Sequence, residues 1–277
     1  MPVPSSAVAD AYARLTEAFP GLAVTETGPG ESVPDGGGWT SAASLAAGGR
    51  GLDAFLAWDD AQVLRDYGTH ARPDVVASFG LHRYAWPACL LFTVPWFLHR
   101  RVPRLPVTHV SYDRAAGRMA VRPAAFACLP GDPAAALPGA RAVRDEEALR
   151  AELRSAVAEH LEPVLAGFGP RMRRRGRALW GMATDEVVEG LWYVAHLLGE
   201  QERAVRELEL LLPGATRPYV GSAAFRELTG PDGESLPTRD RASCCMFYTV
   251  RPEDLCVTCP RTRDADRIAK LTATAAG

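Results

Sequence analysis

An α+β chain dominated by helices, with a small antiparallel sheet or hairpin, is the fold class this sequence predicts. Three observations carry it. Long stretches repeat apolar residues at helical spacing. One stretch alone, "VTHVSYDRAAGRMAVRP" at residues 107–123, reads as two short β runs around a turn. The last part of the chain, rich in Pro, Gly and charge, breaks with both patterns and gathers four of the six cysteines. Residues 1–243 read as one helical body with the small sheet, and residues 244–277 as a C-terminal attachment.

The elements follow in order. Ser5 and Ser6 are candidate caps for a first helix in which Val8, Tyr12, Leu15 and Phe19 share a face, and Pro20-Gly21 ends it. "GPGESVPDGGG" at 28–38 is a flexible loop. Its glycines lack the lysine and Ser/Thr of a phosphate-binding loop. Residues 51–70 and 73–99 are two further helices, the second expected to bend or break at Pro87 and Pro95. Asp145 caps the next, whose stripe runs Leu149, Leu153, Val157, Leu161, Val164 and Phe168. Gly167, Gly169 and Pro170 are expected to stop it. Residues 184–198 and 200–212 are helices. The first is apolar around most of its circumference and belongs at the centre, with Trp192 and Tyr193 in the core. Residues 213–243 read as loop, and "DADRIAKLTATAAG" as a closing helix capped by Asp264.

The 277 residues carry a formal net charge of −2, which argues against a partner held by phosphate neutralisation, so no nucleic acid is expected. Of the 31 basic residues only Lys270 is lysine, so arginine clusters partly reflect composition. The start of the chain has no basic and apolar leader. The most apolar run, residues 85–98, holds two prolines and is too short for a transmembrane segment. A cytoplasmic location is the expectation, and there clustered thiols are metal ligands or redox groups rather than structural disulfides. Cys89 and Cys128, in apolar surroundings, read as structural.

"RASCCMFYTVRPEDLCVTCPRTR" at 241–263 then poses the functional question. Cys244 and Cys245 are adjacent, ten residues follow, and Cys256 and Cys259 form a C-x-x-C. Structural zinc wants four tetrahedral ligands on two such turns, and only one is present. Dithiol redox chemistry needs one pair and leaves the other idle. A two-iron cluster needs four thiolates, two on each metal, and the vicinal pair and the C-x-x-C pair could each serve one iron. Spacing alone leaves all three open.

The C-C-x10-C-x2-C pattern, with "SCCMFY" before it and "CP" after, resembles the C-terminal segment of FhuF-like ferric siderophore reductases. The resemblance covers residues 239–263; outside it no residue carries over. It implies a C-terminal iron–sulfur segment with a 2Fe–2S cluster on Cys244, Cys245, Cys256 and Cys259. It also implies one-electron reduction of a ferric siderophore, for example of hydroxamate type, releasing Fe(II) in the cytoplasm. No catalytic group beyond the cluster is called for. No nucleotide fingerprint is present, so the electron would come from an external donor such as a ferredoxin or a flavoprotein reductase. Arg241, Arg251 and Arg261 are candidates for tuning the cluster, with Arg239 and Arg263 nearby. Met246, Phe247 and Tyr248 either shield the cluster or anchor the segment. "RMRRRGRALWG" at 171–181 offers Arg173, Arg174, Arg175 and Trp180 as candidate siderophore contacts, against a plain reading of the arginines as a solvated helix start. Two other classes stand beside the reductase: a cluster-bearing electron-transfer or sensor protein serving a partner enzyme, and a zinc-stapled binding scaffold.

Overall fold

The computed structural model describes residues 6–28 and 30–275, without the side chains of residues 274 and 275. Eight α-helices are present among these residues: α1 (Ala9–Ala18), α2 (Ala42–Ala47), α3 (Arg50–Tyr67), α4 (Pro73–His99), α5 (Glu146–Met172), α6 (Arg177–Leu197), α7 (Gln201–Leu211) and α8 (Asp264–Ala275). The strands are β1 (Ala23–Glu26), β2 (Trp39–Ser41), β3 (Arg101–Arg104), β4 (Val110–Asp113), β5 (Arg118–Val121), β6 (Ala125–Cys128), β7 (Ala140–Ala142), β8 (Phe225–Thr229) and β9 (Ser235–Arg239).

Helix α4 is the axis of the molecule. It is buried from Val75 to Phe97 with few interruptions and packs on α5 and α6. A helix apolar on every side belongs inside, and residues 85–98 lie there as a core segment. Among the described residues no helix is long and apolar enough to cross a membrane. The expected break at Pro87 and Pro95 does not occur, since α4 is continuous across both. A proline removes the hydrogen bond to the carbonyl four residues earlier. For Pro95 that carbonyl belongs to Leu91, and the Tyr12 hydroxyl donates to it at 3.0 Å. A side chain from α1 thus satisfies the group that the proline leaves open.

The expected hairpin is present as β4–β5, with Asp113 opposite Arg118 and Val110 opposite Val121. Gly117 closes its turn at φ +62°, where a Cβ would come within 2.3 Å of the Gly21 carbonyl. The hairpin is the middle of a larger sheet in the order β1-β5-β4-β2, in which β1 runs parallel to β5. Two sheets were not foreseen: β3-β6-β7, and the hairpin β8-β9 within residues read as loop. Their strands are short, and Pro103 and Pro237 interrupt the pattern that would announce them.

Other boundaries move for local reasons. Helix α1 starts after Val8 with no side-chain cap. Ser6 instead donates to Glu26 at 2.5 Å, and Ser5 lies outside the described residues. Asp145 caps α5 as expected, accepting from the Ala148 N–H at 2.8 Å. That helix does not stop at Gly167–Pro170; it ends after Met172, with Arg173 left-handed at φ 55°. Gly167 is there for closeness: a Cβ would stand 2.4 Å from the Leu45 carbonyl of α2. On α6, Trp192 is half-buried, but Tyr193 is 44% exposed and outside the core. The Asp264 carboxylate is engaged by Arg226 at 2.6 and 2.9 Å, and Ala276 and Gly277 lie outside the described residues.

Candidate metal centre

Helix α6 positions the four cysteines. It brings three carboxylates, Asp185, Glu186 and Glu189, to the segment that begins at Arg239. Asp185 and Glu186 are wholly buried. Asp185 Oδ1 accepts from Arg239 Nη2 and from the Ala242 N–H, both at 2.9 Å, and Oδ2 accepts from the Ser243 N–H at 2.8 Å. One carboxylate thereby holds the two residues that precede Cys244. Burial pushes the Asp185 carboxyl upward and Arg239 and Arg241 oppose the shift. With these donors converging, the geometry serves the ionised form. Glu189 reaches further along the segment, accepting from Arg239 Nη1 and from the Thr258 hydroxyl, each at 2.9 Å.

The second half of the segment is tied to the first. The Arg241 N–H donates to the Thr258 carbonyl at 3.3 Å. Arg267 of α8, buried, donates to the carbonyls of Cys259 at 3.0 Å and Arg239 at 3.3 Å. The turn itself closes by Cys259 N–H to Cys256 carbonyl at 3.1 Å, and the Thr262 hydroxyl donates to the same carbonyl at 2.8 Å.

These restraints bring all four thiols together. Cys244 Sγ lies 4.0 Å from Cys259 Sγ. Cys245 and Cys256 interact with each other, which pulls the Cys245 thiol down to about 5 and pushes Cys256 up. A hydrogen bond from the Phe247 N–H, with the charges of Arg241 and His82, adds to the pull on Cys245. Cys244 is raised, first by burial. Backbone donors also face sulfur: Met246 N–H to Cys244 Sγ at 3.3 Å, and Arg261 N–H to Cys259 Sγ at 3.5 Å.

Among the described residues no group of three or more His, Cys, Asp or Glu side chains meets around one point. The thiols stand as two pairs, which is the donor arrangement two irons need. Arg241 Nε is a buried donor with no hydrogen-bond partner, and its guanidinium acts on Cys245 and Cys256. Soft sulfur ligands, N–H groups aimed at them and a buried guanidinium nearby fit an anionic iron–sulfur group held by Cys244, Cys245, Cys256 and Cys259.

Of the candidate tuning arginines, Arg241 is in place: buried, 3.5 Å from Glu186 Oε1 and 3.6 Å from Asp185 Oδ2. Arg251 is exposed and pairs with Glu253. Arg261 lays its guanidinium 4.1 Å over the Tyr248 ring, and only its backbone N–H meets a sulfur. Arg263 pairs with Asp266 on the surface. Met246 and Phe247 anchor the segment, packing with Tyr67 and Phe79 of α3 and α4.

The Arg173–Arg175 stretch is the connection between α5 and α6 and lies beside the cysteines. Arg174 Nη1 donates to the Cys244 carbonyl at 2.9 Å and to Ser243 Oγ at 3.4 Å. With Arg173, Arg175 and Gly176 it lines an open groove of about 620 Å³. Trp180 faces elsewhere, edge-on to Tyr219. His82 escaped sequence reasoning. Its Nδ1 is 2.6 Å from Glu186 Oε1, and its ring lines a cavity of about 320 Å³ with Arg83, Trp86 and Arg114. Burial lowers its basicity, but Glu186 more than offsets this. The available signal was "TDEVVEG": charged residues inside a helix otherwise apolar all round imply buried partners.

Fold and site together define an iron–sulfur protein. The family model for the FhuF 2Fe–2S C-terminal domain matches residues 241–261, so the segment that carries the four cysteines is similar to a 2Fe–2S binding domain. No curated protein matches the chain.

Proposed function

We propose that this protein is a ferric siderophore reductase: it takes single electrons from an external donor and reduces an Fe(III)–siderophore, releasing Fe(II) in the cytoplasm. The observation that carries this reading is the hydrogen bond from Arg174 to the Cys244 carbonyl, which sets an open arginine-lined groove directly against a cluster ligand. When bound, the cluster supplies one electron at a time, and one electron converts ferric to ferrous iron.

The residues of the chain do the rest. Arg174 is committed to the cysteine segment and fixes the groove. Arg173 and Arg175 present exposed guanidinium groups, whose planar donors suit the crowded oxygens of a ferric hydroxamate. Met246 and Phe247 keep water from one side of the thiols by packing on the body. Ferrous iron, larger and softer, leaves hard oxygen donors quickly, so reduction is release. No general acid or base is required. Residues 1–243 serve as the body that shapes the groove, and residues 244–277 as the electron-carrying segment.

The test is anaerobic. Protein reduced with one electron is mixed with a ferric hydroxamate siderophore and a ferrous chelator. Cluster reoxidation should match formation of the ferrous complex mole for mole. A cluster that stays reduced, with no ferrous complex, would make this an electron carrier for another partner. A colourless protein with stoichiometric zinc would make it a scaffold.

A further inference from the structure

The geometry points to crossed pairing of the cysteines: Cys244 and Cys259 share one iron, and Cys245 and Cys256 share the other. This deepens the cluster assignment and does not depend on the siderophore reading, so the two fail separately. The arrangement that sequence order suggests is the opposite, with neighbours sharing an iron.

Three observations argue for crossing. The first is distance. Two sulfurs on one tetrahedral metal, each about 2.3 Å away, stand about 3.8 Å apart. Cys244 Sγ and Cys259 Sγ are at 4.0 Å, close to that separation.

The second is the local chain. Residues 244–246 lie in neither helix nor strand. Met246, left-handed at φ 67°, then turns its N–H back onto Cys244 Sγ. Cys259 makes the same bond with the N–H two residues on, that of Arg261. Two sulfurs held by the same device are the two that meet.

The third is surroundings. With Cys244 and Cys259 together, Cys245 and Cys256 are left for the other iron, and both interact with Arg241. Arg174 reaches the backbone of Cys244 instead. Each iron draws one ligand from either end of the Met246–Leu255 excursion, so both irons hold its ends together.

Four single variants test this: Cys244→Ser, Cys245→Ser, Cys256→Ser and Cys259→Ser, assembled anaerobically, reduced, and read by Mössbauer and electron paramagnetic resonance spectroscopy. Serine on a given iron alters that iron's signature. The expected result is two classes, Cys244→Ser with Cys259→Ser and Cys245→Ser with Cys256→Ser. Sorting by sequence neighbour, or Cys244→Ser with Cys256→Ser, overturns the proposal.

A measurement on the unaltered reduced protein covers variants that fail to hold iron. Cysteine labelled at the carbonyl carbon, with nitrogen-labelled cysteine, identifies Cys244 through the single Cys–Cys junction. With nitrogen-labelled proline it identifies Cys259, the sole cysteine followed by proline. Their β-proton shifts should follow one temperature slope and those of Cys245 the opposite slope. Cys244 and Cys245 sharing a slope, or Cys244 and Cys259 differing, overturns the proposal.

Discussion

Asp185 and Ser243 are joined by a 2.8 Å hydrogen bond from the Ser243 backbone to a fully buried carboxylate, and this bond fixes where the first cysteine begins. The helical body and the metal segment meet there. Asp185→Ala should leave Arg239 and the N–H groups of Ala242 and Ser243 short of an acceptor. Breaking a buried pair from one side costs about 3–5 kcal/mol. A clear fall in melting temperature and less than half the normal iron per chain are expected, with helix content retained. Iron content equal to the parent's would show that the carboxylate does not place the cysteines.

Cys256→Ser removes a thiolate that the site needs. Protein purified without oxygen should be red-brown, bleach with dithionite and hold about two irons per chain. The variant should lose the visible absorption and most of the iron. Elemental analysis and absorbance on one sample decide it.

Arg173→Ser with Arg175→Ser concerns the groove alone, since both side chains are exposed. Loss of two charge-assisted contacts of ~0.5–1 kcal/mol each predicts a roughly 5- to 30-fold slower ferric hydroxamate reduction, with unchanged absorbance and iron content. An unchanged rate places substrate docking elsewhere.

His160 gives a pH dependence far from the cluster. Its ring is buried between the Leu105 carbonyl at 2.7 Å and the Tyr84 hydroxyl at 2.8 Å. Nδ1–H donates to the carbonyl and Nε2 accepts from the hydroxyl, so the ring is held neutral. Burial lowers its pKa to about 4, against about 6.5 when unfolded. The unfolded chain therefore takes up the proton first. Stability is full above about pH 6.5 and falls as pH drops toward 4, by about 3 kcal/mol from this group. Chemical denaturation of apoprotein across that range should show the loss, and His160→Gln should flatten it.

Tyr12→Phe tests the continuity of α4. It leaves the Leu91 carbonyl, already without its helical donor because of Pro95, unsatisfied in the core. The expected cost is about 1–3 kcal/mol in denaturant unfolding. No loss would mean that the proline needs no help.

How much of this was legible beforehand depended on where the information lies along the chain. The Asp145 cap, the β4–β5 hairpin and the central place of α4 and α6 are written in local spacing, and they read correctly. The break at Pro95 did not occur because its remedy, Tyr12, lies far away in sequence. The stop at Gly167 failed because a glycine that ends a helix looks the same as one that admits a neighbouring backbone. The β8-β9 hairpin, with a proline in one strand, has no alternating pattern to show. At the site, the clustering of four cysteines was visible in the sequence, although spacing alone left their chemistry open. Arg241 was legible as a neighbour in sequence, whereas Asp185, Glu189 and His82 reach the segment only through folding. Arg174 was visible as one of a run, but its bond to the Cys244 carbonyl was not.

Phe247 lies between the rings of Tyr67 and Phe79, at centroid distances of 5.5 and 6.1 Å. Nothing in that packing involves metal. A freshly made chain can seat this part of its tail by apolar contact and offer its sulfurs as a prepared cradle.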